Sequence, residues 1–364
     1  MDRIAATFGP AWGLPKWIQF FRPKTSGRME FSARLLLSSS SGYSRKRVSF
    51  GQSASVIEEA RKEGGKVVAY GSLESEAFDA IKTAFQKKTG LALEYWRASG
   101  TKVMDRAMSE YRTGTALYDL LLLNANVARI VVKEGMLARY ESPSASEFAK
   151  ERVDPILGPS YRSVIIGIVY DKSAIKAADT PKSLEDILRP QFRGKIAMPD
   201  PSQHVTTTQW LASLHKIIGK ERADKFVRNL ADMKPIFVES FIPSAERVVG
   251  GETQIAITYV IYAFTYGQKG APIDYVRLGK MLGDGHYAVL SNKAPHPNAG
   301  KAFIDFFLGD ESMQILAKMG EFVNRKGIYP PLADADKIQF VPMDDFSIKE
   351  YAEKRKELQK LFIR

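Results

Sequence analysis

The sequence predicts an α/β protein in which mainly parallel sheets are flanked by helices. Short apolar runs alternate with amphipathic segments along most of the chain, which is the pattern of β–α units. The 364 residues are 45% hydrophobic, enough for two lobes with separate cores. One long apolar run leads out of the first group of units and later strands lead back. We therefore expect two lobes joined by a hinge of crossing strands.

The first group of units is expected to begin near Ser53. Ser55 and Glu58 have the spacing of a capping box, and Gly64-Gly65 closes the helix that follows. Strands and helices then alternate, with strands at 66–70, 91–96 and 120–123 and helices at 76–88, 102–112 and 127–134. Phe78, Ile81 and Phe85 share one face of the second helix and are expected to be buried.

The second group begins with an apolar run at 164–170. Strands are expected at 194–198, 236–238 and 255–257, and helices at 205–218 and 221–232. Further strands at 273–276 and 286–290 lead back to helices 298–308, capped by Asn298, and 311–319, capped by Asp310. An amphipathic helix at 348–362 follows. We expect lobe 1 to be 53–168 plus 286–320, lobe 2 to be 169–285, and 321–364 to be a C-terminal extension.

Residues 1–52 are expected to be a leader, either disordered or a targeting segment. Residues 1–50 contain nine Lys/Arg and two Asp/Glu, a net +7 of the total +12, so the remaining 314 carry only +5. That distribution removes most of the support for nucleic-acid binding by the main body. The best apolar stretch of the leader, 35–37, is too short for a secretory signal. An RNA-binding tail and a misassigned start remain alternatives.

Several classes of chemistry have no support in the sequence. There is no cysteine, which excludes disulfides, thiol catalysis and thiolate metal sites. No phosphate loop, zinc-protease motif or serine nucleophile elbow occurs. No two of the four histidines are closer than ten residues in sequence. We expect no enzyme activity and no cofactor.

Small or polar residues do recur where a predicted strand meets a helix. Backbone N–H groups at helix starts suit an anion, and hydroxyl and amide groups add directed hydrogen bonds. Simple helix capping is the alternative at each site. Arg97 could clamp a carboxylate or phosphate, or be a surface charge. The candidate ligand-binding residues of this type are Ser72, Glu74, Arg97, Ser99, Gly100, Asn124, Asn126, Ser202, Gln203 and His204.

The stretch 254–271 contains three tyrosines after a short apolar strand. At about 100° per residue, Tyr259, Tyr262 and Tyr266 would share one face of a helix that ends at Gly267. They could form an aromatic wall for a ligand or pack in the core. Tyr259 and Tyr262 are candidate ligand contacts, whereas Tyr266 is expected to pack.

A set of short motifs in consistent order resembles the extracellular solute-binding proteins of ABC importers, of the ferric-iron-binding type. The resemblance covers about residues 55–340 and is carried by Ala84-Phe85-Gln86-Lys87-Lys88-Thr89-Gly90, Tyr118-Asp119-Leu120, Glu134-Gly135-Met136-Leu137, Val169-Tyr170-Asp171, Phe192-Arg193-Gly194-Lys195-Ile196, Lys269-Gly270-Ala271-Pro272, His296-Pro297-Asn298-Ala299 and Phe303-Ile304-Asp305-Phe306-Phe307. It implies the two-lobed type 2 periplasmic binding fold, a solute held between the lobes, and delivery to a membrane permease. It also implies a periplasmic location. We expect a monomer.

The iron ligands of that family do not carry over to this chain. Its tandem tyrosines would fall near Val260-Ile261, its acidic ligand near Asn124 and its histidine near Leu73-Glu74. We therefore expect no resident metal and a small anionic or polar solute. Ferric iron bound by Tyr259, Tyr262 and Glu74 is an alternative. An enzyme using Tyr259 or His204 as acid/base, and a ligand-sensing regulatory domain, are further alternatives.

Overall fold

The structure is a computed structural model that describes residues 50–363, so the predicted leader lies outside it except for residues 50–52. The first parallel strands lie in the order β2-β1-β3. They are β1 (Lys66–Gly71), β2 (Ala92–Arg97) and β3 (Leu120–Asn124), and the helices around them are α1 (Phe50–Lys62), α2 (Ser75–Thr89), α3 (Gly100–Thr113) and α4 (Ala125–Lys133). Phe78, Ile81 and Phe85 of α2 are fully buried, as their spacing predicts.

A second parallel group lies in the order β8-β6-β7. It consists of β6 (Ile196–Pro199), β7 (Ile236–Val238) and β8 (Ile255–Tyr259), with helices α5 (Val205–Ser213), α6 (His215–Ile218), α7 (Lys220–Asp232), α8 (Phe241–Val249) and α9 (Ile261–Gly267), and the short strand β9 (Ile273–Tyr275). Its core contains Trp210, Phe226 and Ile257, and is separate from the core around Phe78 and Phe303.

Two long strands connect the groups. β5 (Gly158–Asp171) pairs antiparallel with β10 (Lys280–Leu290) through its first half and with β8 and β9 through its second half. The far end of β10 pairs with β3, and the short strand β4 (Val153–Asp154) pairs with the start of β5. The strands thus form one continuous 11-stranded sheet in which two parallel groups are joined by crossing antiparallel strands, consistent with the predicted α/β class.

The rest of the chain returns to both lobes. Helices α10 (Pro297–Phe307) and α11 (Asp310–Lys318) bury Phe303 and Leu316 in the first core. Strand β11 (Gln339–Pro342) pairs with β10. Helix α12 (Ile348–Phe362), which begins with a Ser347–Glu350 capping box, buries Leu358 in the second core. None of the helices within residues 50–363 is long and apolar enough to cross a membrane.

Several predicted helix boundaries are wrong. Helix α1 begins at Phe50, so Ser55 lies inside it and does not cap it. His296 precedes α10, and Asn298 lies in its first turn, where its side chain donates to Glu63 at 2.7 Å. Asp310 is the first residue of α11, after Gly309. Sequence spacing identifies a first turn but does not decide which polar residue in it is the cap.

Two further differences concern lobe 2. The predicted helix 205–218 is divided at Leu214 into α5 and α6. Helix α8 was not predicted. Its Pro243 lies in the first turn, where a missing N–H costs nothing. Tyr259 is the last residue of β8, so it does not share a helix face with Tyr262 and Tyr266.

Replacing Gly283 by alanine is expected to destabilise the protein. A Cβ atom there would lie 2.5 Å from the Val164 carbonyl oxygen and 2.9 Å from the Phe340 ring, so the crossing strands would have to separate. We expect a loss of about 1–3 kcal/mol in the free energy of unfolding, measured in urea. Gly279→Ala is the control, since nothing lies within 4 Å of its Cβ position. Equal stability of the two variants would contradict this account of the crossing.

Candidate functional site

Arg162 lies on β5 where the two lobes meet, and its side chain is only 4% exposed. Its Nη1 donates to Glu74, in the loop after β1, at 3.1 Å, and also to Glu321, which follows α11. Glu321 is 8% exposed but Glu74 is 60% exposed. One buried guanidinium thus holds two carboxylates, one enclosed and one open to solvent.

The two carboxylates differ in their ionisation. Burial raises the pKa of Glu321 to about 7, against the opposing charge of Arg162, and the neighbouring Glu74 raises it further. At Glu74 the surrounding protein also raises the pKa, but Arg162, and to a smaller extent Arg97, outweigh it, so the net pKa is below its usual value. The two acids share one guanidinium. As pH rises, the exposed Glu74 loses its proton before the buried Glu321 does.

His286 stands opposite Arg162 in the pairing of β10 with β5. Burial lowers the pKa of His286 well below its usual value, and the charge of Arg162 lowers it further. The imidazole is therefore neutral at physiological pH. Its Nδ1 is buried and has no hydrogen-bond partner among the described residues. The crossing strands thus bring a fixed cation and a neutral imidazole together.

A row of aromatic rings leads away from this cluster on the lobe 2 side. The ring centroids of Tyr259 and Phe241 are 4.4 Å apart, those of His204 and Phe241 are 4.9 Å apart, and those of Tyr259 and Tyr262 are 5.8 Å apart. Tyr266 continues the row at 6.1 Å from Tyr262. Three predicted site residues, His204, Tyr259 and Tyr262, are therefore neighbours along one aromatic wall.

The aromatic wall lies close to the carboxylates. Burial raises the pKa of Tyr259 and of Tyr262, and the charge of Glu74 adds to the increase at both. Burial lowers the pKa of His204, whose Nδ1 faces the Thr207 backbone N–H and hydroxyl at the start of α5. The wall is therefore uncharged at neutral pH. The charge of Glu74, from the other lobe, therefore acts on both tyrosines, and the charge of Arg162 acts on Tyr259.

The asparagines of the site have structural partners. The Asn124 side chain accepts from the Val127 backbone N–H at 3.0 Å and caps α4. Asn126 Nδ2 donates to Gln209 on α5 at 3.4 Å, which connects the two lobes. Gly100 lies beside Asn124. Capping, the alternative weighed for these residues, is thus observed at Asn124.

The remaining predicted residues lie on three separate segments. Ser99 precedes α3 without a side-chain capping bond, and Ser72 is half-buried in the loop that carries Glu74. Ser202 is buried and Gln203 is exposed. Arg355 of α12 donates to the Ser202 carbonyl oxygen and, at 2.7 Å, to Gln203 Oε1. The extension thereby holds the loop that precedes α5, a connection not predicted from sequence.

Sequence reasoning missed Arg162, Glu321, His286 and Phe241. Arg162 did carry a signal, since it is the one charge in the otherwise uncharged run 158–170 that forms β5. A charge there must find counter-charges or cost several kcal/mol. Glu321 lies in no recognisable motif, and its role depends on the return of the chain after α11.

A family profile of bacterial extracellular solute-binding proteins matches residues 116–349, which is more than half of the 364-residue chain. This chain belongs to that family. The crossing strands, the two cores and the polar cluster between them are consistent with it. Among the described residues, no group of three or more histidine, aspartate or glutamate side chains could hold a metal ion.

Solved structures of solute-binding proteins share the two-lobed fold. Iron-bound HitA from Pseudomonas aeruginosa has a TM-score of 0.62 at 19% identity, covering 82% of this chain and 98% of HitA. AfuA from Actinobacillus pleuropneumoniae, with fructose-6-phosphate bound, has 0.63 at 19% identity, with the same coverage. A substrate-binding protein of an ABC transporter from Agrobacterium tumefaciens has 0.69 at 14% identity, covering 83% of this chain and 96% of its own.

An uncharacterized protein of Haemophilus influenzae is 24% identical over 227 residues. The match covers 58% of this chain and 65% of that relative, just under two thirds of its length. The family profile and the solved structures confirm the predicted fold class and the predicted resemblance.

Replacing Arg162 by methionine is expected to cost more stability at alkaline than at acidic pH. The variant leaves Glu321 buried without a counter-charge, at about 3–5 kcal/mol when it is ionised. The folded-state pKa of Glu321 is already raised, to about 7, and losing Arg162 raises it further. Stability is therefore lost as pH rises through that pKa. Urea unfolding at about pH 5 and about pH 8.5 measures the difference.

The control is the double variant Arg162→Met/Glu321→Met, which removes both buried charges together. It should recover most of the stability at alkaline pH, because paired removal of a buried ion pair is often neutral. A loss in Arg162→Met that is the same at both pH values would contradict the assigned role of Glu321.

Proposed function

We propose that this protein is the solute-binding component of an ABC importer and binds a small anionic solute between its lobes. The observation that carries the proposal is the convergence of both lobes on Arg162. Glu74 comes from lobe 1, Tyr259 and Tyr262 come from lobe 2, and the guanidinium lies on the strand that joins the lobes. Such a site can be completed or dispersed by a hinge motion.

The chemistry of the site supports an anion. Arg162 is a guanidinium donor held in place by burial, and Arg97 adds a second cation near the carboxylate of Glu74. The tyrosine rings offer flat apolar surfaces with hydroxyl donors, which suits a ring or chain carrying the anionic group. The sugar phosphate bound in AfuA is one example of this class of solute.

The remaining parts of the proposal concern organisation and partners. The lobes are 53–168 plus 286–320 and 169–285, and 321–364 is the extension. A membrane permease receives the solute, and the protein acts in the periplasm as a monomer, without nucleic acid. The extension is tied to both lobes, because Arg152 of lobe 1 donates to Phe340 and Arg355 of α12 contacts Ser202 and Gln203.

The proposal includes no chemical change in the solute. A raised pKa makes Tyr259 a poor base at neutral pH, and His204 Nδ1 is engaged at the start of α5. The enzyme alternative, with either residue as acid/base, therefore has little support. Mass spectrometry of a bound solute after long incubation should recover it unchanged, and a product would favour the enzyme.

A thermal-shift screen tests solute binding. Phosphate, phosphonates, sugar phosphates, carboxylates, polyamines and thiamine are compared, and we expect an anionic compound to raise the melting temperature. A solute at a hundred times its Kd stabilises the protein by about 2.7 kcal/mol. Tyr262→Ala should remove most of the shift. Lys220→Ala, at an 82%-exposed position of α7, should not.

Two outcomes would contradict the proposal. One is the absence of a shift with every class of compound. The other is a shift that survives unchanged in both Tyr262→Ala and Arg162→Gln, since the compound would then bind elsewhere.

Ferric iron is a second candidate solute, favoured by the proximity of Tyr259, Tyr262 and Glu74. Because burial raises both tyrosine pKa values, binding would release protons and strengthen as pH rises. Adding ferric iron should then produce a visible tyrosinate charge-transfer band that Tyr262→Phe weakens and Arg162→Gln retains. A flat spectrum excludes this candidate.

A further inference from the structure

Glu74 is the solvent-open acceptor of Arg162, the residue proposed above to bind an anionic solute. Its carboxylate accepts from Arg162 Nη1 at 3.1 Å, on the solvent-open side of the buried guanidinium. Arg162 uses the same nitrogen for Glu321, while its Nε is buried and has no partner among the described residues. A guanidinium has five donor hydrogens. Arg162 therefore has donor hydrogens beyond those used by the two carboxylates that it holds.

Of the two glutamates that contact Arg162, only one can move away from it. Glu321 is enclosed beside the crossing strands, and the neighbouring backbone is fixed by the Ser163 N–H, which donates to the Phe322 carbonyl at 2.8 Å. Glu74 precedes α2 and makes no side-chain capping bond to it. Turning its carboxylate away would expose Arg162 to the cleft without unfolding a helix.

A second cation is available to Glu74 if it turns. Arg97 is exposed at the end of β2, where it pairs with Gly71, three residues before Glu74. It is close enough for its charge to help lower the pKa of Glu74, after burial and Arg162 have exerted the larger effects. The displaced carboxylate would thus keep a favourable electrostatic partner.

We propose that Glu74 is an internal competitor for the solute, which an incoming carboxylate or phosphate monoester displaces from Arg162 and which then turns to Arg97. This inference rests on the proposed function and deepens it. Glu74 sets specificity, because a neutral solute offers Arg162 less than the carboxylate that it would replace. A solute with two negative charges gains most from the exchange.

Isothermal titration calorimetry with inorganic phosphate as the probe tests the exchange. Glu74→Gln keeps the shape of the side chain and removes the competing charge, so phosphate should bind about tenfold more tightly than to the wild type. Glu58→Gln makes the same charge change at a 63%-exposed position of α1 and should leave the affinity unchanged. Arg162→Gln should abolish binding with either residue at position 74.

Arg97 provides a double-mutant cycle. If Arg97 acts by holding the displaced Glu74, then Arg97→Gln weakens phosphate binding in the wild type but not in Glu74→Gln. Equal weakening in both backgrounds would show that Arg97 binds the anion directly. That result would contradict the proposed movement of the Glu74 carboxylate to Arg97. Both variants change exposed side chains, and circular dichroism checks that they fold.

The proposal is overturned if Glu74→Gln binds phosphate no better than the wild type, or fails to bind it at tens of millimolar. Failure of the exchange is distinguishable from failure of the proposed function. A solute that raises the melting temperature of the wild type but not of Tyr262→Ala would still support the proposed function. Tighter binding by wild type than by Glu74→Gln would instead make Glu74 a direct ligand.

Discussion

A buried positive charge at the junction of the lobes constrains the rest of this structure. Arg162 cannot be enclosed without counter-charges, and the two that it has come from the loop after β1 and from the segment after α11. Segments distant in sequence must therefore meet beside β5. The bridge between Arg162 and Val323 holds the returning chain along the same strand. The charge makes the junction specific, at the expense of stability that an apolar core would have provided.

The proposed site combines two kinds of surface on different lobes. The crossing strands and lobe 1 supply charge, whereas lobe 2 supplies an uncharged aromatic wall that includes Tyr259 and Tyr262. Because the wall and the charges lie on separate elements, they can vary separately. Iron and a sugar phosphate are bound by two proteins of this fold.

Much of the fold could be predicted from the sequence, because β–α alternation is a local property. The spacing of Phe78, Ile81 and Phe85 was sufficient to place the buried face of α2. Helix α8 was missed; its Pro243 lies in the first turn, where proline is tolerated. The order of strands across the sheet follows from pairings that no local pattern contains.

The site was only partly predictable for the same reason. His204, Tyr259 and Tyr262 lie at or soon after a strand end, and that position made them candidates. Glu74 was selected as a loop residue, but its partner Arg162 is 88 residues away and Glu321 is farther still. Phe241, which joins His204 to Tyr259, lies on the helix that was missed. Contacts between segments distant in sequence could not be predicted from local patterns.

The pairing of β3 with β10 has a consequence for folding during synthesis of the chain. Leu120 stands opposite Leu290, so the sheet of lobe 1 remains incomplete until the whole of lobe 2 has been synthesised. Contacts of such large sequence separation slow folding. The first lobe therefore cannot complete its sheet before β10 has been synthesised.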